Sequence, residues 1–86
     1  MMNFRQKELA YEYFEKVKAK YPEIELINIT ESPEDPSDHW LNVASPFDDD
    51  TEIEMMEFAA KIGNALLVEY GYLFMFMPEP MHKIAA

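Results

Sequence analysis

The last apolar segment of the chain, Tyr72-Leu73-Phe74-Met75-Phe76-Met77, offers no charged or amide side chain at any position, so the strand it predicts has no face suited to water. Its Met and aromatic content suits a strand inside a sheet, and Pro78 and Pro80 are expected to stop it. Such a strand needs cover on both sides, and the rest of the chain must supply it.

A chain of 86 residues encloses one core, so a single domain is expected over residues 1–80 with a frayed tail from Met81 to Ala86. Folding at this size removes roughly 60% of the unfolded surface from water. Cysteine is absent, which excludes a disulfide framework and a thiolate zinc site and fits a reducing cytoplasm. Extra burial must then come from self-association.

Apolar residues Ala10, Tyr13, Phe14, Val17 and Tyr21 recur at three- and four-residue steps and predict an amphipathic helix from Asn3 to Lys20, closed by Pro22. Glu23 to Thr30 follows as a strand, with Ile27 and Ile29 on one face and Ile24 and Leu26 on the other. Glu31 to Asp38, with two prolines, is a polar connector. His39 to Ser45 is a second strand, pointing Leu41 and Val43 one way and Trp40, Asn42 and Ala44 the other. Thr51 and Glu54 have the spacing of a capping box opening a second helix. Its stripe is Met55, Ala59, Ile62, Leu66 and Tyr70, broadened by Met56, Gly63 and Leu67 and terminated by Gly71.

The order helix-strand-strand-helix-strand implies a two-layer α+β fold. A short connector pairs the first two strands antiparallel, and a right-handed helical crossover pairs the second and third in parallel. The result is a mixed three-stranded sheet with both helices on one face. Two helices cover only one face of such a sheet. The other is expected to present Ile24, Leu26, Trp40, Tyr72, Phe74 and Phe76, or Leu73, Met75 and Met77 in the opposite register. An apolar surface of that breadth marks a contact site, so a homodimer, with docking of a protein partner beside it, is the expected role.

Charge supplies the alternative. Between Glu31 and Ala60 there are ten acidic residues and no Lys or Arg, and the net charge is -10. That balance opposes binding to phosphate backbones and anionic membranes, and it makes Asp35, Asp38, Asp48, Asp49 and Asp50 a candidate surface for a basic partner, as in a nucleic-acid mimic or antitoxin-like inhibitor. The apolar stretch Ala59 to Met77 does not suit a membrane span, because Lys61, Asn64, Glu69 and Gly71 break it and each central charge costs roughly 3 kcal/mol.

No enzyme or cofactor pattern emerges. An EF-hand loop started at Asp48 would need glycine and glutamate where Ile53 and Ala59 stand, and an N-cap and dipole role accounts for the acids. His39 and His82 are the only histidines, too few for a hydrolytic centre, and there is no Walker, GxSxG, HExxH or dinucleotide motif. No catalytic residue, metal site or cofactor is therefore expected.

The run from Ala10 to Met77 resembles a shortened minimal nucleotidyltransferase palm. The resemblance rests on Trp40-Leu41-Asn42-Val43-Ala44, the acidic loop, the helix Glu52 to Glu69, and Glu69-Tyr70-Gly71-Tyr72-Leu73-Phe74-Met75. The family's Gly-Ser motif is replaced by Thr30-Glu31-Ser32-Pro33 and its Asp-x-Asp metal pair by His39-Trp40-Leu41. The resemblance thus implies a related topology with nucleotidyl transfer lost, since two Mg²⁺ ions need those carboxylates.

Overall fold

The computed structural model describes residues 3–34 and 38–80. The expected tail, residues 81–86, lies outside the described residues. The order is α1 (Phe4–Lys20), β1 (Glu25–Glu31), β2 (His39–Ser45), α2 (Asp49–Tyr70) and β3 (Phe74–Pro80). The sheet runs β1-β2-β3, with β1 and β2 antiparallel and β2 and β3 parallel, which gives the expected mixed α+β sheet.

Local chemistry sets the ends of the helices. Asn3 caps α1, its Oδ1 accepting from the Gln6 N–H at 2.8 Å while Gln6 Oε1 accepts from the Asn3 N–H at 3.0 Å. At the other end the Lys18 ammonium donates to the carbonyls of Pro22 and Ile24, at 3.1 and 2.6 Å, and so ties the turn that leads into β1. The cap of α2 is Asp48 rather than Thr51. Its carboxylate accepts from the Thr51 N–H at 2.9 Å, so the helix starts earlier than the Thr51–Glu54 spacing indicates. Gly71, at φ 77°, closes α2 in the left-handed conformation and donates its N–H to Leu67.

The two helices lie antiparallel: Arg5 sits 4.9 Å from the Tyr70 ring at one end, and the Tyr21 hydroxyl is 3.1 Å from Glu54 at the other. Beneath them Leu41 and Val43 of the central strand are fully buried, together with Leu9 and Val17 of α1 and Met55 of α2. Tyr13 joins the layers. Its ring lies 4.8 Å from that of Phe76, and its hydroxyl donates to the Ala59 carbonyl of α2 at 2.6 Å. Burial pushes the pKa of that hydroxyl well up.

Three expectations are corrected. β1 carries a bulge between Leu26 and Asn28, so Leu26 and Ile29 pair with Val43 and Leu41 and pack on the same core instead of on opposite faces. β3 is an edge strand rather than an interior one, and it runs through Pro78 to Pro80 instead of stopping before them. The bond from the His39 N–H to the Leu73 carbonyl sets the parallel ladder so that alternate residues from Leu73 onward bond to β2. Pro78 and Pro80 then turn their missing N–H groups to the free edge, where no bond is lost. The third correction concerns which strand residues the helices cover. Among the described residues no helix is long and apolar enough to cross a membrane.

Candidate interaction surface

The sheet face away from the helices is far less apolar than expected. Ile24, Phe74 and Phe76, expected there, are core residues with at most 2% of their surface exposed. Leu26 and Tyr72 are half-buried and pack against the same core. Of the six residues expected on that face only Trp40 remains. The cause is the parallel register: Leu41 is opposite Phe76, so the inward alternation of β2 carries Phe74 and Phe76 inward with it.

What the open face presents is Met75 beside Trp40 and Met77 beside Asn42, two of the three residues expected there in the opposite register. Toward β1 the same rows turn polar. Thr30 is opposite Trp40 and Asn28 opposite Asn42, and the Asn42 amide donates to Asn28 Oδ1 at 2.7 Å and to Thr30 Oγ1 at 3.1 Å. On this face Met75 is 45% exposed on the β3 side, and Ile27, at the bulge of β1, is 41% exposed.

The β3 side adjoins a cleft of about 180 Å³ between β3 and α2, lined by Tyr13, Met56, Ala59, Ala60, Gly63 and Asn64 on one side and Leu73 to Phe76 on the other. Gly63 makes the close approach possible: a Cβ there would lie 2.9 Å from the Tyr13 hydroxyl and 3.2 Å from the Phe74 carbonyl. The Phe74 carbonyl belongs to the free edge of β3, so α2 lies against that edge and shields it. Beyond the cleft, α2 exposes Ile53 and Leu67, at 57% and 40%. Leu67 was expected to widen the core stripe; it faces out.

The acidic residues do not converge. Asp35 lies outside the described residues. Asp38 is half-buried just before β2, while Asp48, Asp49 and Asp50 are exposed at the start of α2, beyond the other end of that strand. A seven-residue strand holds the two groups about 20 Å apart. Hydrogen bonds from the Thr51 hydroxyl and N–H hold the Asp48 carboxyl below its ordinary pKa, in keeping with its capping role. No group of three or more His, Cys, Asp or Glu residues is placed to hold a metal among the described residues.

His39 is 2% exposed, and both of its ring nitrogens lack a hydrogen-bond partner among the described residues. Its ring packs 6.3 Å from that of Phe74. An unpartnered buried polar group costs about 1–3 kcal/mol. His39→Leu, which keeps similar bulk, should therefore raise stability by about 1–2 kcal/mol in urea unfolding at neutral pH. A loss of stability would show that the imidazole makes a bond that matters.

Compared with known proteins, the chain matches no protein-family model, no curated protein and no solved structure.

Proposed function

We propose that this chain is a non-enzymatic protein-interaction module that self-associates through the apolar surface around β3 and α2. One observation carries the reading: Met75, Leu67 and Ile53 stand exposed on the strand and helix that form the walls of one apolar cleft. Large exposed apolar side chains scattered singly are ordinary, but grouped around a cleft they mark a contact site. The small size of the chain gives the same surface a second use, because burying it in a dimer adds stability that the single core does not supply.

Sedimentation velocity at micromolar concentration is the test. A species of twice the 10.1 kDa chain is expected. It should strengthen as salt rises, because salt screens the repulsion between two copies of charge -10 while leaving apolar contact intact. A 10.1 kDa species at all salt concentrations would overturn the reading. Binding to a basic protein that weakens steeply with salt would instead assign the function to Asp48, Asp49 and Asp50 at the start of α2.

A further inference from the structure

Three residues on α2, Ile53, Ala60 and Leu67, follow one another at seven-residue steps, and all three are exposed. Seven residues are close to two helical turns, so they form one stripe along the helix, about 21 Å from first to last. The stripe is separate from the one that Met55, Ala59 and Leu66 bury against the core. It borders the α2–β3 cleft, whose lining Ala60 shares with Met56 and Asn64.

The order of sizes along this stripe is large, small, large, and it is symmetric about Ala60. An antiparallel copy laid against it would place Ile53 beside the partner's Leu67, Met56 beside the partner's Asn64, and Ala60 against the partner's Ala60. A twofold contact requires a patch that complements itself in this way. A small residue at the crossing point lets two helix axes approach to about 8 Å, the short end of the packing range.

We infer that a second copy of the chain packs its α2 antiparallel against this α2, with the twofold axis beside Ala60. The inference rests on the self-association reading and names its interface. An extended segment added to β3 is the competing occupant, and the geometry disfavours it. The Phe74 carbonyl already lies against α2 at Gly63, which leaves no room there for a strand needing about 4.8 Å of spacing. Pro78 and Pro80 withhold two further donors along the same edge. Charge is the opposing term. With the axis beside Ala60, Asp50 and Glu52 lie beside the partner's Glu69, so like charges meet at each end of the seam and the contact should tighten with salt.

The chain contains no cysteine, so single replacements report proximity without background. Ala60→Cys, at the axis, is compared under mild oxidation with Val68→Cys, on the 88% exposed outer side of α2, and Asn42→Cys, on the open sheet face. The expected result is a covalent dimer from A60C and monomer from V68C and N42C. Linkage through N42C alone would move the interface to the sheet face and overturn the α2 seam while leaving self-association intact. Equal linkage of A60C and V68C would reveal random collision and overturn the seam. Monomer from all three, with a monomeric unsubstituted chain in sedimentation, would overturn both readings. Leu67→Asp guards against an effect of the introduced thiol: it should abolish the dimer of the unsubstituted chain while the monomer still melts cooperatively, and a dimer that survives it would reject the seam.

Discussion

Phe76→Ala should destabilise the protein by about 3–5 kcal/mol, the range for removing a buried aromatic ring. Phe76 is 2% exposed, and its ring lies 4.8 Å from that of Tyr13 and 6.5 Å from that of Phe14. A loss of that size is a large share of the about 5–15 kcal/mol that holds a small domain folded. Met75→Ala, one position away on the open face, should change stability by no more than about 0.5 kcal/mol in the monomer, as exposed sites do. Paired urea unfolding of the two variants measures which way β3 faces. If Met75→Ala were the damaging change and Phe76→Ala the mild one, the parallel register described above would be wrong by one residue.

Gly63→Val is expected to cost about 2–3 kcal/mol through overpacking, a fall of about 10–20 °C in melting temperature for a chain of this length. The modest gain in helix propensity from replacing glycine does not offset this. The first carbon of the new side chain would meet the Tyr13 hydroxyl at 2.9 Å and the Phe74 carbonyl at 3.2 Å. Neither yields readily. The hydroxyl is held by its bond to the Ala59 carbonyl, and the Phe74 carbonyl is backbone. Relief would come from α2 moving off β3, which also opens the cleft. Differential scanning fluorimetry reads the loss, and an unchanged melting temperature would mean that α2 does not sit this close to the edge.

How much of this was legible in the sequence depended on whether a local signal fixed the answer. The element order, the span of β2 and the end of α2 at Gly71 were legible because alternation, connector chemistry and a helix-terminating glycine each act over a few residues. The faces of β1 were not, because one extra residue near Ile27 inverts the alternation and nothing in Leu26-Ile27-Asn28 announces it. The face of β3 was undecidable locally, since Phe74 and Phe76 alternate with Met75 and Met77 and all four are apolar. Only pairing with β2, whose Leu41 and Val43 point inward, selects the phenylalanines for the core. Of the two expected open-face sets, the first kept Trp40 and lost Ile24, Phe74 and Phe76 to the interior, while Met75 and Met77 of the second stand on that face.

The α2 stripe had a signal that was available and absorbed elsewhere. Leu67 lies near enough to the core stripe to pass for its margin, and Ile53 falls just past the first turn, beside acids that suggest only a solvated helix start. Exposure separates them from the core. The acidic residues show the opposite error: close in sequence, they are parted by the length of β2 once it is extended.

The two margins of the sheet have a consequence for how the protein behaves when concentrated. β1 is irregular at its bulge and begins and ends in glutamate, while β3 is walled by α2 and finished with two prolines. Neither margin offers the long, flat row of donors and acceptors on which amyloid fibrils elongate. Growth by strand-to-strand templating is therefore disfavoured on both flanks.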